Sequence, residues 1–507
     1  MLFEPPRLDP VDPEVFKGLV VSAARDRTVV CPQAATFDAA QVAELRGHLG
    51  TRACRAWSTP GSHFLGADWE RFAVDDVDFS GATFGPETSF ANATFGDYAS
   101  FDDTTWHGEA DFSRVSFGRS AQFARLRPLG HVLFQDGSFG DRLFVSIAKR
   151  GPRANDGGPH KLDFRSAVIG DSAQIWVEEH RMELGLVEAT IGSWSTVTWV
   201  GSPGWISADL EVAHVGQGVQ LHCVGGSVSM PRIRGESLRV TGTAQLTSLR
   251  NAHLGELELA GIDLTQCHWG GASIDKLRIG GGTRFARRRV LPFGPSPSRS
   301  VLREDHWSIK GPRLRRGAEE PEPPEVPIAE VEDRYRSIRG SLEQGGNGAA
   351  GNDFYYAEMQ LRRLNRRFSN EHLVFPSVQG AVLLAYWWVS GYGLRAWRAV
   401  GALVVVLLVA AFLYSAGGMA TIVSADAATS ARTDAGTSQP ATARPLTLGE
   451  GLVVAGQQGL SLHTRPGVEL NASADAIGLA LRLLVPLFLV LAALAVRNRI
   501  SRHHPWR

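Results

Sequence analysis

Lysine is almost missing from this chain. Lys17, Lys149, Lys161, Lys276 and Lys310 are the full set, so arginine carries nearly all positive charge, a bias that reads as the codon usage of a GC-rich bacterium. Cysteine is equally scarce: Cys31, Cys54, Cys223 and Cys267, with no CxxC pair. That excludes a disulfide framework and a zinc ribbon, and it suits a reducing compartment. The opening residues MLFEPPRLDPVDPEVF lack the basic and apolar regions of a signal peptide, which places the front of the chain in the cytoplasm. There is no Walker A run, no HExxH, no GxSxG with partners and no TVGYG-like filter. Phosphate cradling, zinc hydrolysis, serine acyl transfer and potassium-selective conduction therefore have no motif to stand on. No catalytic residue, cofactor or metal is expected, and the chain is read as a non-enzyme.

Six consecutive eleven-residue blocks place a bulky plug at the same two positions: VDFSGATFGPE, TSFANATFGDY, ASFDDTTWHGE, ADFSRVSFGRS, AQFARLRPLGH and VLFQDGSFGDR. One column is Phe79, Phe90, Phe101, Phe112, Phe123 and Phe134; the other is Phe84, Phe95, Trp106, Phe117 and Phe139, with Pro128 as a single lapse. A fixed short period marks a stacked-repeat architecture, in which each coil buries its side chains only against the coils above and below. These eleven aromatics are the expected solenoid core, a ladder of rings that leaves no room for a pocket. From about 142 to 280 the comb loosens. Short apolar strands recur between Gly-rich turns, as the same ribbon with Leu, Val and Ile inside. If a coil takes two blocks, roughly ten coils at about 4.8 Å each give a rod of about 50 Å.

The chain divides into a capping region (1–63, with a short helix at 37–46), the solenoid (64–280), an Arg/Pro-rich linker (281–327), a helical hairpin (328–370) and an interfacial helix (378–398). A first transmembrane helix (399–423), an extracytoplasmic loop (424–474), a second transmembrane helix (475–497) and a basic tail (498–507) follow. The linker reading rests on Arg284, Arg287, Arg288 and Arg289, a second basic cluster and repeated Pro, a composition that cannot bury a core. In the hairpin, Ile328, Val331, Tyr335, Ile338 and Leu342 have helical spacing, and Glu358 pairs with Arg362 one turn on. Trp387 and Trp388 suit a helix lying along the headgroups. The run Ala399–Ala425 carries no charge until its end and is long enough to span a bilayer; Ala476–Val496 is the second such run, interrupted by Arg482.

The Phe blocks resemble a variant of the bacterial pentapeptide-repeat proteins, with spacings of five and six alternating. The stretch from Tyr335 to Arg363, followed by SGYGLRAWRA, looks like the membrane-anchoring tail of many such proteins. The resemblance implies a right-handed quadrilateral β-helix followed by a helical hairpin and two transmembrane α-helices. It implies no activity, because the family is named for architecture. Related tails sometimes resemble a two-helix channel with a re-entrant loop, and residues 446–465 are apolar enough to dip into a membrane.

Arginines cluster before the first span (Arg362, Arg363, Arg366, Arg367, Arg395, Arg398) and after the second (Arg497, Arg499, Arg502, Arg507). The positive-inside rule then sets both termini in the cytoplasm. Arg482 is the intramembrane polar residue. Pro486 one turn on frees its carbonyl, and the side chain can snorkel to the outer headgroups. Residues 68–112 are acidic, as in soluble relatives that mimic DNA and bind topoisomerases. Basic residues from Arg114 onward break that surface, and a nucleic-acid partner is not expected. His222–Cys223 and Cys267–His268 lie a multiple of eleven apart and could stack, but adjacent strand residues point opposite ways, leaving too few metal ligands. The expected function is a membrane-tethered scaffold offering a cytoplasmic repeat surface to an unknown protein partner, possibly as a homo-oligomer. The alternatives are a channel-like or transport subunit and a topoisomerase-binding DNA mimic.

Overall fold

The computed structural model describes residues 9–49, 53–86, 88–147, 160–178, 182–200, 207–289, 298–305, 326–344, 348–368, 396–416, 420–423, 443–460, 468–470 and 472–500. The chain forms two compact units, residues 1–345 and 346–507.

The first unit is a β-solenoid of about nine turns. Its strands pair in parallel from one coil to the next. Tyr98, Ser120 and Arg142 stand in one register column, each 22 residues from the last. Two eleven-residue blocks therefore make one coil. The aromatic comb becomes four stacks, because a coil contributes four plugs. Phe90, Phe112, Phe134 and Phe164 stack with ring centroids 5.3, 5.3 and 4.9 Å apart. Phe95, Phe117 and Phe139 follow at 4.8 and 5.2 Å, and Phe79, Phe101 and Phe123 at 5.5 and 5.1 Å. The fourth column, Phe64, Phe84 and Trp106, is stacked at 5.4 and 4.3 Å. Pro128 is no interruption: it is buried and pairs with Trp106 in the ladder.

The glycine after the second plug has a steric cause. A Cβ on Gly140 would overlap the carbonyl oxygen of Gly118, and one on Gly118 that of Gly96. Coils meet at this corner with no room for a side chain. Two residues past the first plug, Asn92, Asp103, Arg114, Arg125 and Asp136 all adopt positive φ, so each corner holds one left-handed residue.

Behind residue 147 the interior changes. Val145, Ile175, Val197, Leu221, Val240, Leu259 and Ile279 form one inward column. Its steps are 30, 22, 24, 19, 19 and 20 residues. The long step contains residues 148–159, and the last coils settle at 19–20.

Both ends are closed. At the front, helix α1 (Pro13–Asp26) is N-capped by Asp12, whose carboxylate accepts from the Glu14 amide at 2.8 Å. It packs on strand Thr28–Val30 and on α2 (Ala39–Leu49) through Leu19, Ala23, Val42 and Leu45. Parallel pairing already starts at Thr28–Val30 and Thr36–Asp38, so the first coil lies inside the segment read as a cap. At the rear, α3 (Ile328–Gln344) packs against the last strand, Ser273–Ile279. Part of the expected linker is structured: Ala286–Arg289 and Ser298–Val301 form an antiparallel hairpin, and Leu302, Glu304 and Asp305 are buried. A composition argument counts apolar area; it misses burial through hydrogen-bonded carboxylates.

The second unit holds α4 (Gly348–Phe368), α5 (Ala396–Ala416), α6 (Leu448–Gly459) and α7 (Ala472–Ile500). A three-stranded antiparallel sheet joins Ala420–Val423 to Ala443–Pro445 and Val468–Leu470. One helix among the described residues, Ser473–Ala493, is long and apolar enough to cross a membrane. The first expected span is shorter than read. Its helix stops at Ala416, ahead of Gly417–Gly418 in the sequence, and residues 420–423 are a strand. Helix breakers end a span that apolar composition alone would extend.

Candidate functional site

The solenoid offers its outer faces and its ends. Every expected core aromatic, from Phe79 to Phe139, is at most 3% exposed. Phe112 touches rings on all sides, face-on with Phe90 and Phe134 and edge-on with Phe101, Trp106 and Phe123. What remains for chemistry points outward. Strand parity decides which large residues do so. Ile175 and Val177 face in, so Trp176 faces out and is 49% exposed, whereas Trp199 on the next coil is fully buried. Trp194 sits at a left-handed corner position (φ 60°) and is 63% exposed. Tyr98 is 42% exposed on a front coil. The sequence comb did not distinguish these outward aromatics, because a single Trp carries no phase until the register of its strand is known.

The acidic run resolves into local roles. Asp68, Asp78 and Asp111 each accept from the backbone amide two residues on, at 2.8–3.0 Å. Asp163, Asp209 and Asp263 repeat this farther along, at 2.8–3.1 Å. These are Asx turns that set a corner. Asp103 accepts from Arg125 and lies 3.7 Å from Arg127, and Asp97 lies 3.6 Å from Arg119. The Arg125 guanidinium holds the Asp103 carboxyl below its ordinary value. Carboxylates of the front coils are thus shared with arginines one coil later.

His222–Cys223 and Cys267–His268 do not stack. Cys223 pairs with Gly242 and His222 with Thr241, whereas His268 bridges to Ser248. Rear coils of 19–20 residues break a multiple of eleven. Burial pushes the Cys223 thiol up to about 12 and the Cys267 thiol well above its ordinary value, so both are inert fillers. Among the described residues, no three His, Cys, Asp or Glu side chains converge as a metal site.

The rear cap is the most polar buried place in the solenoid unit. Along the ribbon, backbone N–H groups donate to carbonyls of the next coil, as Leu249 does to His268 and Asn251 to Gly270. The final coil has no successor, and two side chains replace it. Glu304 Oε1 accepts from the Trp269 and Gly270 amides, and Glu330 Oε1 from Gly271. Burial raises the Glu304 carboxyl above its ordinary value, against the backbone donors that lower it. Beside it, Tyr335 donates its hydroxyl to Asp305 at 2.8 Å and accepts from the Leu302 amide at 3.0 Å. Tyr335 had been placed by helical spacing as apolar packing; its hydroxyl also ties the strand end to α3.

In the second unit α6 is wedged against both apolar helices. Thr447 and Glu450 close a capping box at its start. A Cβ on Gly451 would stand 2.7 Å from the Ala411 carbonyl oxygen of α5, and one on Gly459 2.5 Å from Val485 of α7. Ala410, Tyr414, Val454, Ala455, Leu481 and Val485 form the shared core. Arg482 donates to Gln458 Oε1 on α6 at 2.9 Å, so its guanidinium turns to a protein partner. Glu358 and Arg362 of α4 pair at 3.1 Å. Trp387 and Trp388 lie outside the described residues. Comparison with known protein families, characterised proteins and solved structures finds no match for this chain.

Proposed function

We propose that the protein is a non-enzymatic, membrane-tethered scaffold of pentapeptide-repeat type whose solenoid presents a cytoplasmic surface to a protein partner. The supporting observation is the set of large aromatics turned outward from a filled interior: Tyr98, Trp176 and Trp194. Exposed Trp and Tyr are the residues that dominate binding energy at protein interfaces. Tethering follows from α7 together with α5 as a second, shorter span. The outward Val404, Val405, Leu408, Val409 and Phe412 of α5 match Leu479, Leu483, Leu487 and Val490 of α7 in exposure. Apolar stripes of this size are stable in lipid and costly in water. The arginines flanking the helices put both termini in the cytoplasm. Proximity labelling from the N-terminus should identify the partner. Trp176→Ala with Trp194→Ala should then weaken its capture about tenfold or more while leaving thermal unfolding unchanged. Capture at full strength by that variant sinks this surface.

A second reading, a channel-like subunit, draws on the seating of α6 between α5 and α7 and on the Arg482–Gln458 contact. Flux through reconstituted protein that disappears in Arg482→Leu supports it; liposomes that stay tight remove it. The topoisomerase-binding reading gains nothing from Asp68, Asp78 and Asp111, which are occupied as turn acceptors.

A further inference from the structure

Between Arg284 and Arg303 the sequence holds six arginines, Arg284, Arg287, Arg288, Arg289, Arg299 and Arg303, and no carboxylate. The structure folds this stretch into a hairpin that leaves the parallel ladder and forms its own two-stranded sheet. Its register sets Arg288 directly opposite Arg299, with Arg287 opposite Ser300 and Arg289 opposite Ser298. Like charges facing each other across a ladder destabilise it, and a lone two-stranded hairpin is marginal in water. Among the described residues no carboxylate forms an ion pair with Arg284 or Arg287, and both are exposed. By contrast, arginines along the solenoid, such as Arg125, Arg232 and Arg239, each pair with an acid of a neighbouring coil. The hairpin is a cationic element built without its counter-charge.

We propose that this hairpin docks on the anionic headgroups of the membrane that holds α7. The proposal rests on the membrane reading above. Chain connectivity favours lipid over other polyanions. The hairpin precedes α7 in a chain that the bilayer retains, so an anionic surface is present at high effective concentration. Clustered arginines close to a span are attracted to such a surface.

The test uses the full chain in lipid nanodiscs, with Ala286→Cys carrying an environment-sensitive dye. The four native cysteines are buried, so labelling is selective. In discs containing phosphatidylglycerol the dye should shift to shorter wavelength and resist acrylamide quenching; in pure phosphatidylcholine it should not. The protection should vanish at about 1 M salt, where screening falls to about 3 Å. It should also vanish in Arg287→Gln/Arg288→Gln/Arg289→Gln and survive in the matching Lys variant, which keeps the charge. Equal quenching in both lipids overturns the proposal. So does protection in detergent alone that rises with protein concentration and is lost in Asp75→Asn/Asp76→Asn, because the partner would then be a second copy's acidic coils. If the chain fails to enter discs, the membrane reading has failed. Flotation of the soluble chain with phosphatidylglycerol vesicles, and not neutral ones, would still uphold the hairpin assignment, and absence of flotation would end it.

Discussion

The front and rear coils are one ribbon built to two gauges. Coils around Tyr98 and Ser120 repeat at 22 residues and are filled by rings. Coils around Val240 and Leu259 repeat at 19–20 and are filled by Leu, Val and Ile. Strand pairing holds the rise per coil near 4.8 Å in both, so the perimeter alone can adjust to the plug. Four rings need a wider coil than four aliphatic side chains. The same corner chemistry, an Asx turn and a left-handed residue, serves both gauges, at Asp111 and Arg114 in front and at Asp209 and Val212 behind.

The largest effect expected is a charge in the wide gauge. Phe112→Asp buries a carboxylate among five rings, and no donor stands near to receive it. The cost exceeds about 4 kcal/mol. Hydrogen exchange should show the front coils open while the coils around Leu257 stay protected. Equal protection of both regions would mean the two gauges are not separate folding units. The comparison sharpens with the opposite change. Leu257→Phe sets a ring in a coil of 19–20 residues and should cost about 1–3 kcal/mol through overpacking, measured by denaturant unfolding. A neutral result would show that perimeter does not follow plug size.

The rear end supplies an intermediate effect with a pH signature. Glu304→Ala leaves the Trp269 and Gly270 amides without their acceptor and should cost about 1–3 kcal/mol; Glu304→Gln restores an acceptor and recovers most of it. Because burial raises the Glu304 carboxyl above its ordinary value, the folded state favours the protonated form. The sign follows. The contribution is complete below the ordinary carboxyl value of about 4.3 and declines as pH rises through the raised one. Exchange of the Trp269 and Gly271 amides should therefore quicken with pH more steeply in the native chain than in Glu304→Gln, after correction for intrinsic rates. Matching slopes would sever the cap from that carboxylate.

These cases show what was legible in the sequence. The front gauge was, because its plugs recur every eleven residues and each ring sits where the comb placed it. The glycine corner was visible as a letter but not as a reason, since the clash at Gly140 is with a residue 22 positions earlier. The rear gauge was read as the same ribbon, yet its shorter period was not. Aliphatic plugs also occupy outward positions, and that hides the phase. The cap was invisible: Glu304 reaches back 35 residues to Trp269 and Glu330 reaches 59 to Gly271. Nothing local marks either carboxylate. In the second unit, apolar composition located α7 but overran α5, because hydropathy does not register where a helix stops.

The smallest effect expected lies on the surface of the wide gauge, where two kinds of acid can be told apart. Asp111 fixes a turn by accepting the Ser113 amide at 2.9 Å. Arg125 and Asp103 join neighbouring coils side chain to side chain in solvent. Asp111→Ala removes a backbone acceptor at a corner and should cost about 1 kcal/mol. Arg125→Gln should leave the melting temperature unchanged. An exposed pair loses in side-chain freedom and screening nearly what it gains in attraction. Its role is then a matter of register, since a coil slipped by one residue would set like charges side by side. Melting at low and high salt decides the matter. A native chain that loses stability in salt while Arg125→Gln does not would make the coil-to-coil charges a source of cohesion.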